Sequence, residues 1–321
     1  MLDLAKNRTT LSHYLVGVGM EIGALNSPLT IAHDNAVVRY ADRMTTDALK
    51  AEYPSLSGIR TVDYVLAGNT LPVEDGSQDF VIGNHVIEHI VNPLGALKEW
   101  NRALKDGGIV FMAYPIPKHC PDAPRRIVTV EHLIEDFETN RRTNAGEHLL
   151  AFAWAWNPTQ FPAPDEIERV LHHLWQNDLW EMDEVAWDLL HKSRDRVEYL
   201  RSLPELELHQ HAFDLQAFRG SLEYLSDRAG VHFSVEDLSF DRGAINECIM
   251  ILRKHSTAPV DGVWGPRARA AEAREIYLSS DIAADTAASR NRLLQIEALT
   301  NSTSWRVTSP LRAFKRYIDG R

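Results

Sequence analysis

The run Asp79-Phe80-Val81-Ile82-Gly83-Asn84-His85-Val86-Ile87-Glu88-His89-Ile90-Val91-Asn92-Pro93 constrains the fold more than any other stretch of the chain. Its apolar part, Phe80 to Gly83, has turn residues on either side and reads as a strand buried on both faces. Asn92 suits the cap of a helix that starts at Pro93, where a first helical residue needs no amide donor. In an open parallel sheet, ligands gather beyond the carboxyl ends of the strands. Asn84, His85, Glu88 and His89 occupy that end, and the chemistry is expected there.

Similar units surround it. The apolar segment Tyr14 to Gly23 closes on Glu21-Ile22-Gly23 and the turn Ala24-Leu25-Asn26-Ser27-Pro28. A second strand, Ala36 to Ala41, ends at Asp42, about the separation expected between a nucleotide-binding turn and an acid that holds ribose hydroxyls. Thr45 to Glu52 reads as a helix and Thr61 to Leu66 as a third strand. The helix from Pro93 carries Leu94, Leu97, Trp100 or Asn101, and Leu104 at helical spacing and stops at Lys105-Asp106-Gly107-Gly108. Gly108 to Pro115 is a fifth strand. Strands and helices alternating at this density predict a parallel α/β sheet with right-handed crossovers.

From Pro121 to Gln210 the pattern breaks: nine Lys or Arg face eighteen Asp or Glu, and five of the eight tryptophans fall here without strand signals. This stretch reads as a helical insertion over the ligand edge. A helix over Leu215–Ala229 then leads to strands at Val231–Val235 and Asn246–Arg253, and the chain beyond Pro259 reads as helical. The expected division is a core over 1–120, an insertion or lid over 121–212, closing elements of the core over 213–257 and a helical extension over 258–321.

The formal net charge of −11 argues against a general nucleic-acid binder. Cys120 and Cys248 supply neither a disulfide framework nor a CxxC metal pattern, so a reducing cytoplasm is the default. No apolar run approaches the length of a membrane span, and the first twenty residues lack a signal-peptide pattern.

Four signals together resemble a class I S-adenosylmethionine-dependent methyltransferase. They are Glu21-Ile22-Gly23 after strand one; Asp42 after strand two; Leu71-Pro72 and Asp75-Gly76-Ser77-Gln78-Asp79-Phe80 leading into strand four; and His85-Val86-Ile87-Glu88-His89, followed by Leu104 to Gly108. The resemblance covers roughly residues 15–115 and implies a Rossmann-like methyltransferase sheet with S-adenosylmethionine as cofactor. A narrower resemblance is to methyltransferases associated with glycosyltransferases in bacterial surface-polysaccharide synthesis. It rests on Asn26-Ser27-Pro28, Thr129 to Asp136, His209-Gln210-His211 and the ending Ser304 to Arg312. It implies a sugar or glycan hydroxyl as acceptor. The glycine-rich loop is reduced here to Gly23, and Ala67-Gly68-Asn69-Thr70 stands where an acid commonly meets the adenine.

The resemblance implies Glu21, Gly23, Asn26, Asp42, Asn69, Asn84 and His85 as cofactor-binding residues. His85, placed nearest the methyl group, is expected to act as a neutral base toward the acceptor, with His132 and His211 as further active-site histidines. His85, Glu88 and His89 also match HxxEH, the zinc motif of inverted zincin peptidases, but that motif needs one continuous helix, and here a strand ends just before it. No metal is expected. If one binds, Glu88 and His89 are the candidates, with His119, His132, His148, His209 and His211 as further ligands. Two alternatives stay open: a degenerate scaffold on the same fold, and a metal-dependent small-molecule methyltransferase. The basic, apolar end over 304–321 suits a glycosyltransferase partner, an oligomer contact or the inner face of a membrane.

Overall fold

The computed structural model describes residues 7–156, 164–190, 208–241 and 246–280. The chain divides into two units, Met1–Gly265 and Pro266–Arg321. The core, the insertion and the closing elements expected from the sequence all fall within the first. The second unit's described part is one helix, Pro266–Ser280. The segment 304–321 lies outside the described residues.

The chain opens with a short helix, α1 (Arg8–Leu11), and strand β1 (Gly17–Ile22). Next come β2 (Ala36–Asp42), α2 (Thr46–Glu52), and β3, which is only Tyr64–Val65. Strand β4 (Gln78–Asn84) leads to helix α3 (Pro93–Ala103), and β5 (Leu104–Pro115) follows without a break. The described helices of the insertion are α4 (Val130–Glu138), α5 (Gly146–Trp156), α6 (Pro164–Gln176) and α7 (Glu184–Leu189). Helix α8 (Leu215–Ala229) then carries the chain back to β6 (His232–Asp241) and β7 (Glu247–His255).

These strands form one seven-stranded sheet in the order β3-β2-β1-β4-β5-β7-β6. Strands β1 to β5 are parallel to their neighbours, whereas β7 runs antiparallel to both β5 and β6. The order reverses between β1 and β4, so the carboxyl ends of those two strands flank the crevice where such sheets bind ligands. Glu21 and Ile82 are register partners across it. Close approach of β1 to β4 depends on Gly19, because a β-carbon there would lie 2.3 Å from the Phe80 carbonyl oxygen.

Asn92 caps α3 as its sequence suggests, its side chain accepting the Gly95 amide at 2.8 Å. Thr45, Thr129 and Asp214 cap α2, α4 and α8 in the same way, each satisfying an amide that has no partner within its helix. One apolar cluster packs Leu11, Leu15, Phe80, Ile82, Phe111 and Ile249 against the sheet. The insertion has its own, in which Leu149, Leu150, Ile167, Leu171 and Leu174 are buried with Leu208.

Candidate functional site

The carboxyl end of β4 delivers Asn84 and then His85, whose φ of 54° places a non-glycine residue in the left-handed region. Such a conformation is uncommon outside glycine and clusters where a side chain must be aimed. The His85 amide donates to the Ala113 carbonyl at 2.8 Å, tying the turn to β5. Ile87–His89 is a single 3-10 turn. His85 and His89 therefore do not share a continuous α-helix, which is the context the HxxEH peptidase motif requires.

The imidazole of His85 sits between two carboxylates. Its Nε2 lies 2.9 Å from Oε2 of Glu247, and its Nδ1 lies 3.2 Å from Oε1 of Glu88. Glu247 is the first residue of β7, is wholly buried, and receives Arg8 from α1 on both oxygens, with Nε at 2.7 Å from Oε1. Burial alone would lower the His85 pKa. The bonds to Glu247 and Glu88 outweigh it and raise the pKa to about 9. Burial would likewise raise Glu247, but His85 and Arg8 hold its carboxyl below the ordinary range. The sequence reading takes His85 as a neutral base; two acids against one ring favour its charged form instead. Arg8 and Glu247 carry no local motif and were not singled out by the sequence.

The remaining predicted cofactor residues lie along the ends of β1 to β4. Glu21 is buried; its Oε1 accepts the Leu29 amide at 2.9 Å, while Oε2 has no hydrogen-bond partner. Burial pushes its pKa up to about 7, against the opposing Leu29 amide and the charges of Arg8 and Arg60. Both amide atoms of Asn84 are also buried and unpartnered. Gly23 has φ 68°, and a β-carbon there would come within 3.4 Å of the Val86 side chain. Asp42 is buried at the end of β2, and Asn26 is exposed in the turn after β1. Asn69 donates from Nδ2 to the Asn92 carbonyl at 3.3 Å, so its amide already braces the cap of α3. Buried polar groups in folded proteins are nearly always paired. The unpaired oxygen of Glu21 and the unpaired amide of Asn84, at adjacent strand ends, fit a polar ligand held in that crevice.

His132 and His211 go elsewhere. Their side chains are fully buried and converge with Asp136 and His148, not with His85. A base must reach the acceptor oxygen, and rings enclosed in this way do not line the strand ends. The two groups meet through the backbone: the Glu88 carbonyl accepts the amides of Gln210 at 2.6 Å and His211 at 3.3 Å. Glu88, His89 and His209 form a second grouping with one ligand atom each within 4.8 Å of one another. His119 belongs to neither of the two groupings.

Residues 17–112 match the family described as "Methyltransferase domain". No curated protein matches the sequence. Among solved structures, a SAM-dependent methyltransferase from Methanosarcina mazei is 14% identical, with 76% of this chain and 96% of that one covered and a TM-score of 0.36. A structure from Listeria monocytogenes described as an S-adenosylmethionine-dependent methyltransferase is 11% identical, covers 75% and 92%, and has a TM-score of 0.37. A Rhodobacter sphaeroides structure titled as a Zn-dependent alcohol dehydrogenase is 14% identical, covers 76% and 87%, and has a TM-score of 0.41. The sheet order, with its antiparallel β7, agrees with the methyltransferase domain matched over residues 17–112. The domain match supports S-adenosylmethionine-dependent methyl transfer, with S-adenosylmethionine as the cofactor of that domain. Among the described residues, no helix is long and apolar enough to cross a membrane.

Proposed function

We propose that the protein is an O-methyltransferase that acts on a hydroxyl of a sugar or surface glycan. The single observation that carries the O-methyl reading is the Glu88–His85–Glu247 arrangement at the carboxyl end of β4. An alcohol must lose a proton as its oxygen is methylated, and a positioned histidine is suited to take it. The sugar reading rests on the sequence likeness at Asn26-Ser27-Pro28, Thr129 to Asp136 and His209-Gln210-His211. Through the end of the chain, over 304–321, the same likeness suggests a glycosyltransferase partner or a cytoplasmic membrane face.

In this proposal Glu21, Gly23, Asn26, Asp42 and Asn84 hold the cofactor, which supplies a methyl group already activated on a sulfonium. Gly23 lets the backbone come close, Asp42 accepts from the ribose hydroxyls, and the unpaired Glu21 oxygen accepts from the amino group. Asn69 gives one N–H to the Asn92 carbonyl and keeps its second N–H and its carbonyl oxygen for the adenine.

Glu247 fixes the tautomer and angle of the His85 ring by holding Nε2–H, leaving Nδ1 as the atom that exchanges a proton. Arg8 keeps Glu247 ionised and in place. A His85 pKa of about 9 makes the ring a strong proton acceptor once it has lost its resident proton. The small fraction that is neutral at pH 7 is then the active form, and Glu88 faces Nδ1 as the group through which the proton leaves. Assaying methyl transfer from labelled cofactor to a panel of nucleotide sugars and lipid-linked glycans tests the reading. Transfer to none of them, with transfer to a small-molecule amine or carboxylate instead, would overturn it.

A further inference from the structure

His132 and Asp136 lie one turn apart on α4, His148 lies in the first turn of α5, and His211 lies on the segment that returns the chain from the insertion to α8. Each is at least 98% buried. Four potential ligand atoms, one from each, fall within 4.8 Å of one another. The Nε2 atoms of His132 and His148 are 3.0 Å apart, and Oδ2 of Asp136 is 3.3 Å from Nε2 of both His132 and His211. Zinc bound to nitrogen or oxygen at 2.0–2.1 Å in a tetrahedron has ligand–ligand edges of roughly 3.3 Å. The two carboxylate–imidazole separations match that edge, and the imidazole–imidazole one is slightly shorter.

We infer that His132, Asp136, His148 and His211 form a closed, four-coordinate site for a zinc-type divalent cation that ties α4 and α5 of the insertion to the segment leading into α8.

The surroundings are those of a metal site. Glu147 Oε2 accepts from Nδ1 of His148 at 2.9 Å, which leaves a lone pair on the inward Nε2. Oε1 of Glu147 is in turn held by the Trp175 indole N–H at 2.9 Å. A carboxylate behind a ligating histidine is the usual way to fix its tautomer and orientation. Arg141 pairs with Oδ1 of Asp136, leaving Oδ2 to face the histidines. His132 is clamped flat against Trp180, with ring centroids 4.0 Å apart at 13°.

With His148 Nδ1–H committed to Glu147, the inward Nε2 presents a lone pair to the space shared with His132 Nε2 and Asp136 Oδ2. Three histidines and one carboxylate, with no thiolate, suit zinc. Four protein ligands and complete burial suit a structural site.

The consequence reaches His85 through the backbone. The Glu88 carbonyl is held by the amides of Gln210 and His211, so fixing His211 also fixes the turn that carries Glu88. The inference does not depend on the identity of the methyl acceptor.

Elemental analysis of the full chain, purified without chelator and then gel-filtered, tests it. About one zinc per chain is expected, and cobalt(II) exchanged into the site should give the intense visible bands of a four-coordinate ion. His148→Ala and His211→Ala should each retain less than about a tenth of an equivalent, whereas His89→Ala, in the second grouping, should retain its metal. Dialysis of the native chain against a strong chelator should lower Tm, with zinc restoring it, a readout that survives if the variants fail to fold. A folded wild-type chain that binds neither zinc nor cobalt after incubation with either would overturn the inference. Loss of metal in His89→Ala with retention in His211→Ala would overturn it equally.

Discussion

His85 Nε2 and Glu247 Oε2 lie 2.9 Å apart, although the residues are 162 positions apart in sequence. The sheet order brings them together: β7, which starts at Glu247, lies beside β5, and β5 lies beside β4, which ends one residue before His85. Residue 8 completes the group from the chain's first helix. The pair behaves as a histidine held by a carboxylate, with a third group keeping the carboxylate ionised.

The pH dependence of turnover follows from that pair. With His85 raised to about 9, kcat/KM should climb through neutral pH and level off above about 9. Glu247→Gln removes a charge that raises the His85 pKa, so the limb should move to lower pH while the maximum falls. His85→Ala should cost roughly 10²–10⁴-fold in kcat and abolish the limb, with little change in cofactor affinity. A limb that stays in place in Glu247→Gln would show that another group sets it. The same linkage acts on stability. A folded pKa of about 9 above the unfolded value of 6.5 contributes stability that is fully present below 6.5 and lost as pH rises through 9. Wild-type Tm should therefore fall between pH 7 and 9.5 more steeply than that of His85→Ala.

Glu21 titrates in the opposite sense. Burial raises its carboxyl to about 7, so near neutral pH a proton must leave before the side chain can accept from an ammonium group. Cofactor binding should release a proton, and affinity should improve as pH rises from about 6 to 8. Glu21→Gln should flatten that dependence. Calorimetry in buffers of differing ionisation enthalpy reads the released proton directly, and a wild-type chain that shows no release would remove Glu21 from the cofactor site.

Asp42 ends β2 and is buried beside the crevice. A charge-assisted bond to a ribose hydroxyl is worth roughly 1.5–3 kcal/mol, or at least tenfold in affinity. Asp42→Ala should weaken S-adenosylmethionine binding by that factor and leave the circular dichroism spectrum unchanged. Unaltered Kd would detach the end of β2 from the cofactor.

What was legible in the sequence was local. The cap at Asn92, the helix over Leu215–Ala229 and the strand that delivers His85 rest on spacing and turn chemistry within a few residues. Less legible was what depends on pairing. Strand β3 shrinks to Tyr64–Val65 because only those residues have a partner, Ala41 and Asp42, across the sheet. Strand β5 starts at Leu104, four residues earlier than its apolar run, because Leu104 pairs with Gln78. Arg8 and Glu247 carry no signal in the sequence for the same reason: neither has a role until β7 is placed beside β5. The sequence marks His132 and His211 as active-site histidines, but only the folded insertion shows that they face Asp136 and His148 instead of the strand ends.

The position of the His85 turn also depends on a packing contact beneath it. Gly83, two residues before His85, lies under the indole of Trp100 on α3, which is 1% exposed. A β-carbon at Gly83 would stand 2.8 Å from the Trp100 ring, and contacts that close force a shift. Trp100 cannot swing into solvent, so Gly83→Ala should push α3 away from β4 and destabilise the fold by about 1–3 kcal/mol. Trp100→Phe removes the ring atoms in question and should be destabilising alone through the cavity it leaves. In the double variant each change relieves the other, so the combined loss measured by urea denaturation should be smaller than the sum of the two single losses. Simple additivity would mean that Gly83 is tolerated for its backbone freedom and not for the indole above it. The double variant should also recover part of the methyl-transfer activity lost in Gly83→Ala, because α3 and the turn that carries His85 are seated on the same contact.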